Sequence, residues 1–308
     1  MIQNLPQSAL DTSLAQYQQP CTTIVDNADD CLPAQFDEAT AQGMEAMLLK
    51  MDQIDAPVTH RFAPNIYIRE VAMPAGAFVM GHYHKTKHLN IMLKGRISFL
   101  GSDGNWVEMS APQTFVAEEG RKVAFVYEDT VWQNVFSTTE TNTEKLEETY
   151  LRKSTTWDEY KEAHDNLLFF DYAEDTTDYY KAIAEFGFTH EQVQELTKDE
   201  DDQAPFPHGS YNVTVADSTI EGKGMFATAT FNKGDEIAVA RLGDKRTPAG
   251  RYINHSKTPN AYPLVIGNDA YIIAHRRIEG CKGGSLGEEI TIDYRQALSL
   301  EAKKCQVS

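Results

Sequence analysis

Four short segments gather residue types that could do chemistry. In the N-terminal half, His82, His84 and His88 stand in the run GAFVMGHYHKTKHLNIMLKG. Residues two apart on a strand share a face, so His82 and His84 point to one side. His88 reaches the same side across a bend at Lys85-Thr86-Lys87. Neutral imidazoles suit one divalent transition metal, whether zinc, iron, nickel or copper. Three protein ligands with water or a small acid in the fourth place make an open metal site. The other segments lie in the last third of the chain. They are Gly222-Lys223-Gly224-Met225-Phe226-Ala227, Arg251-Tyr252-Ile253-Asn254-His255-Ser256 running on to Pro259-Asn260-Ala261, and Gly287-Glu288-Glu289-Ile290-Thr291-Ile292-Asp293-Tyr294. Each alone is a common pattern. Paired glycines serve a turn or a close backbone approach, Asn-His-Ser a polar loop or cap, and Gly-Glu-Glu before an alternating strand a hairpin entry.

Taken together and in this order, over roughly 211–297, the three C-terminal segments resemble the SET domain, the fold of protein-lysine methyltransferases. The resemblance implies a β fold closed by a pseudoknot, with S-adenosylmethionine as cofactor and a lysine-bearing protein as substrate. It implies that Gly222, Lys223, Gly224 and Met225 approach the cofactor through their backbone, and that Asn254 and His255 contact it. It implies that Tyr294 is the catalytic tyrosine beside the methyl group, with Tyr252 and Tyr271 as further candidates for the channel wall. Such a transfer needs two reactants held in near-attack geometry and a lysine kept neutral by burial next to a positive sulfur. The chain departs from the family twice. Lys257 stands where many relatives carry a cysteine, and only Cys305 follows Tyr294, so a structural zinc is not expected. The stretch from Ile237 to Asn254 is also short, and another segment, 296–308 or the helices at 157–197, must close the lysine channel.

The histidine segment resembles the first motif of cupins, small double-sheet β-barrels. Gly76, His82, His84, His88 and Gly95 hold its spacing, with His88 in place of a glutamate. The second motif should present another histidine, but that position is Val123. The segments HKTKHLNIMLKGR and YEDTVWQNVF, and their pairing with a SET domain, resemble proteins of phages or prophages.

The elements that must position these residues follow from periodicity. Residues 1–56 read as an irregular, proline-marked arm and a helix, the latter from the stripe Phe36, Met44, Met47, Leu48 and Met51. Residues 57–138 carry short β-rich runs between turns, including Pro74-Ala75-Gly76 and Asp103-Gly104, and read as the cupin-like double-stranded β-barrel. Residues 139–209 switch to helix. Thr156 with Glu159, and Thr189 with Gln192, have capping-box spacing, and Trp157, Tyr160, Leu167 and Leu168 give the first helix an apolar face. Asp199 to Asp202, followed by Pro205 and Pro207, mark a linker. The runs YNVTVA, DEIAVA, AYIIAH and EITIDY build the SET-like fold at 210–297, and 298–308 is a tail. The fold class expected is mainly β with a helical connector.

Composition bounds the function. Lys and Arg number 28 against 46 Asp and Glu, a net charge of −18. That sign disfavours a phosphate-tracking nucleic-acid binder and suits a lysine-bearing protein partner. No apolar run is long enough for a membrane span, the opening residues lack the basic and apolar parts of a signal peptide, and the four cysteines give no disulfide framework, so a cytoplasmic protein is expected. The leading reading is a methyltransferase. The competing readings are a binding or structural phage protein with a silent SET domain, and a metal-dependent cupin acting on a small molecule. Oligomerisation through the cupin-like half stays open.

Overall fold

The computed structural model describes residues 2–4, 38–100, 105–160, 172–283 and 286–305. The chain forms two compact units, the first from 1–140, 145–164 and 281–285, the second from 141–144, 165–280 and 286–308. The helical connector expected at 139–209 therefore divides between them.

The first unit carries β1 Ile2–Asn4, α1 Glu38–Leu49, β2 Val58–Ala63, β3 Ile66–Met73, β4 Ala77–Met80, β5 Tyr83–His84, β6 His88–Leu100, β7 Trp106–Ser110, β8 Gln113–Ala117, β9 Val123–Ser137, all of α2 Thr143–Tyr150 but its first two residues, and β10 Leu151–Arg152. Two long antiparallel strands, β6 and β9, form its spine. The sequence shows each as two short β-rich runs, HLNIML with RISFL and KVAFVY with VWQNVF. The break between them is a bend, not a turn. At Gly95 the backbone takes φ 101°, and a Cβ there would collide with Thr130, so glycine is required. Around this bend the β6–β9 register shifts. On either side of it the spine pairs with different neighbours. At one end β9 pairs with β3 and β6 with β8; at the other β9 pairs with β4 and β6 with β7. The result is a folded double sheet, and among the described residues it does not close into a barrel.

Its core is Met92, Ile97, Phe99, Met109, Phe115, Val126 and Trp132. Phe99 and Phe115 meet the Trp132 ring edge-on at 5.4 and 5.6 Å, contacts worth about 0.5–1.5 kcal/mol each beyond their burial. A second cluster seats α1 through Ala41, Leu48 and Leu49 on Phe78, Met80, Val123 and Trp157. Residues 155–160 are helical, and their cap is Ser154, whose Oγ accepts the Trp157 N–H at 3.1 Å, not Thr156. Ser154 in turn meets the buried Glu45, which pairs with Arg121 at 3.3 Å. Most of the arm, Asp103-Gly104 and Leu167 with Leu168 lie outside the described residues.

The second unit carries α3 Tyr172–Glu185, α4 His190–Lys198, β11 Gly209–Tyr211, β12 Val213–Asp217, β13 Lys223–Ala227, β14 Glu236–Leu242, β15 Lys245–Arg246, α5 Pro248–Tyr252, β16 Asn254–His255, β17 Ala261–Ile266, β18 Asp269–Ala274, β19 Glu289–Ile292 and α6 Tyr294–Cys305. The capping box at Thr189 and Gln192 is formed and opens α4. One sheet runs β15-β14-β18-β17 and another β12-β13-β19-β16. The second of these brings the three C-terminal segments together. β19 pairs antiparallel with β13, Met225 facing Ile290, and parallel with β16, Asn254 facing Thr291. No helix among the described residues is long and apolar enough to cross a membrane.

Candidate active site

The site grows from β19. Glu289 is the second acid of Gly-Glu-Glu and sits between the two other segments. Its carboxylate accepts the Ser218 hydroxyl at 2.8 Å and the Asn254 amide at 2.8 Å, and burial raises its pKa. Gly224 makes room for it, since a Cβ at that position would strike the carboxylate. The Asn254 Nδ2 also donates to the carbonyls of Glu221 and Lys223 at 3.1 and 3.2 Å. It thereby holds the turn at Gly222, where φ is 51°. Asn260 clamps β19 from the other side. It donates to the Glu289 carbonyl at 2.7 Å and accepts the Thr291 N–H at 2.9 Å.

His255 is buried and both ring nitrogens are used. Nδ1 accepts the Tyr294 N–H at 3.1 Å. The ring proton therefore sits on Nε2, which donates to Asp178 at 3.1 Å. Asp178 also takes Arg295 at 2.7 Å. The Arg295 and His255 hydrogen bonds outweigh partial burial and hold its pKa at about 2. One turn earlier on α3, Asp175 accepts the Lys257 N–H at 2.8 Å and the Ser256 hydroxyl at 3.1 Å. Helix α3 thus fixes the Asn-His-Ser loop, a role the sequence reading missed. The available signal was the three-residue spacing of Asp175 and Asp178, which puts two acids on one helix face.

Tyr294 opens α6, two residues after β19, and its hydroxyl donates a hydrogen bond to the Ile253 carbonyl at 3.0 Å. Burial, with Tyr179 and Glu289 nearby, raises its pKa. Its ring stands between two cavities. The smaller, of about 430 Å³, is lined by Gly222, Lys223, Tyr252, Asn254 and His255, and on the helical side by Tyr179, His190 and Gln194. The larger, of about 650 Å³, is mostly apolar. Ile183 of α3, Val193 and Leu196 of α4 and Ala297 and Leu298 of α6 form one wall, and Ala240, Pro263, Ala270 and Ile272 another. Tyr294, Arg251, Val193 and Thr197 line both cavities. Both segments suggested as closing the channel, the connector helices and the chain after 296, contribute.

The remaining expected residues fall as follows. Lys223 gives the smaller cavity its backbone, because Nζ is engaged by Asp217 at 2.7 Å and Glu144 at 2.5 Å, which raise its pKa. Met225 is fully buried and its side chain belongs to the core. Tyr252 lies under the Arg251 guanidinium, 5.0 Å from its ring centre. Tyr271 lines neither cavity. It sits between Ala270 and Ile272 on β18, and strand alternation turns it to the opposite face.

The metal set expected in the first unit is not formed. The rings of His84 and His88 stack at 4.3 Å and 15°, a geometry that aligns their nitrogens instead of converging them. His88 Nδ1 is bonded to the Thr86 carbonyl at 2.9 Å, and His82 lies edge-on against Trp157 at 5.2 Å. Among the described residues no group of three His, Cys, Asp or Glu is placed to hold a metal ion.

Comparison with known proteins places this geometry. A family model described as SET domain matches residues 118–295. No curated protein matches the chain. Among solved structures, a cupin-2 domain protein from Shewanella frigidimarina is 11% identical and covers 31% of this chain and 92% of its own, with a TM-score of 0.23. A Plasmodium falciparum protein described as a histone methyltransferase is 19% identical over 27% of this chain and 93% of its own, at 0.21. A cupin domain from Bordetella pertussis is 12% identical over 29% and 99%, at 0.24. These likenesses are too distant to carry an argument about chemistry.

Proposed function

The chain belongs to the SET-domain family, and from that premise we propose that it is an S-adenosylmethionine-dependent protein-lysine N-methyltransferase. The observation that carries the reading is the pair of cavities that share Tyr294. One holds the glycine turn and the Asn-His pair; the other is an apolar approach from a second direction.

The residues of the smaller cavity fit the cofactor. At about 430 Å³ it lies within the usual range of small-molecule sites, roughly 300–1,000 Å³. Its wall offers Glu221 to a cationic group, Lys198 to a carboxylate, and Tyr179 and Tyr252 as aromatic surface. Gly222 and Lys223 would contribute backbone groups, Asn254 and His255 would complete the contact, and Gly224 and Met225 stand behind them, buried and off the cavity wall. The bound cofactor supplies an electrophilic methyl on a sulfonium. The chain's own residues do the rest. The apolar lining of the larger cavity disfavours the charged form of an incoming lysine. The Tyr294 hydroxyl directs its O–H at the Ile253 carbonyl, so its oxygen lone pairs are free to accept an amine N–H and turn the nitrogen lone pair toward the methyl. Holding both partners across one ring supplies the near-attack geometry.

The substrate is a lysine-bearing protein, favoured by a chain charge of −18. The pairing of a SET domain with a cupin-like half supports a phage or prophage source, and with it the cytoplasm of a bacterial host. Incubation of the full chain with labelled S-adenosylmethionine and bacterial lysate, followed by mass spectrometry of lysines, should show new methyl-lysine, and calorimetry should show saturable cofactor binding. Absence of binding at millimolar cofactor overturns the reading.

A further inference from the structure

The first unit holds another cavity, of about 130 Å³, among β2, β3, β4, β6 and β9. Much of its wall is apolar, with Val71, Met73, Val79, Ile97, Phe99 and Trp132. Against that wall stand Arg69, Lys122, His82 and His84, and among the described residues no Asp or Glu lines the space. Arg69 Nε and His84 Nδ1 are buried with no hydrogen-bond partner among the described residues.

A buried cation without a counter-charge is costly, and proteins pair such groups. The acid that acts on Arg69 is Glu147, which is itself held by Lys153 at 3.1 Å. Lys122 has no carboxylate partner among the described residues, and burial lowers it to about 8. His84 adds a buried ring nitrogen, Nδ1, that meets no partner among the described residues. The cavity therefore has positive charge and polar groups with no acid among the described residues to receive them.

We propose that this cavity binds a small organic carboxylate, its charge answered by Arg69 and Lys122, its oxygens by His84, and its short carbon chain by the apolar wall. Size limits the ligand. A cavity of about 150 Å³ takes benzene, so the space admits about six non-hydrogen atoms. A larger acid or a nucleotide is excluded.

The test uses the full chain and saturation-transfer NMR titrations with acetate, propionate, butyrate and butyramide. Butyramide matches butyrate in shape and lacks only its charge. At least one carboxylate should bind at millimolar concentration. Butyramide should bind at least about tenfold more weakly than butyrate, the factor expected for losing a hydrogen bond to a charged group. Lys122→Met and Arg69→Leu should each lose a similar factor, with cofactor affinity in the second unit unchanged. Equal binding of butyrate and butyramide, no binding by any of the three acids, or undiminished binding in both variants overturns the proposal. Should a variant fail to fold, the comparison of butyrate with butyramide on the unaltered chain still decides.

Discussion

His255 and His84 both stand in segments that sequence singles out, and their surroundings are opposite. His255 has a partner on each ring nitrogen, Tyr294 on one side and Asp178 on the other. His84 Nδ1 is buried with none among the described residues, and its ring lies on His88. The difference lies in what places each ring. His255 sits on a strand whose neighbour in the sheet is another piece of the same pattern, so backbone pairing brings Tyr294 to it, and α3 brings Asp178. The three histidines of the first unit needed their side chains to converge. Neighbouring aromatic rings set those directions instead, with Phe136 stacked on His88 at 5.3 Å and Trp157 edge-on to His82.

The comparison can be pressed hardest at Tyr294. Tyr294→Phe should keep cofactor affinity within a few-fold and reduce methyl transfer by about 10²–10³, the loss seen when one oriented polar group leaves a reacting centre. Single-turnover rates with bound cofactor measure it; unchanged turnover would reduce the residue to packing. A smaller effect is expected at Asp178→Asn. It weakens the hold on His255 and Arg295 and should cost about 1–2 kcal/mol in that loop. The folded carboxyl lies near 2 against an ordinary 3.8. Its contribution is therefore complete above about pH 4 and is lost as the pH falls toward 2. Amide-exchange protection at 254–256 and 294, followed against pH, should show this loss in the native chain and not in the variant. The smallest effect is expected in the first unit. His82→Ala with His84→Ala should leave metal content unchanged on elemental analysis; a stoichiometric metal that disappears in the variant would restore the metal centre.

Legibility followed the same division. The three C-terminal segments, the glycine turn and the capping box at Thr189 were readable, because each is a local demand written in consecutive residues. The long strands β6 and β9 were not, because a glycine at φ 101° can mark a turn or a bend, and only the pairing partner on each side distinguishes them. The part played by Asp175 and Asp178 was hidden too. In YAEDTTDYY an acid that faces a loop looks like one that faces water. Tyr271 failed for a simpler reason: a one-residue shift along a strand reverses the face.

The double pairing of β19 has a consequence for how the protein is made. The smaller cavity takes its walls from residues as far apart as Thr176 and Tyr294, and β19 must slot between β13 and β16 to unite them. During synthesis from the N-terminus, the glycine turn and the Asn-His pair emerge long before the strand that joins them. Contacts so distant along the chain form slowly, since loop closure must precede any gain from them. The smaller cavity is therefore a late product of folding, absent from a nascent chain until residue 294 has left the ribosome. A truncation before Glu289 removes the strand that unites the site while leaving its other two segments intact.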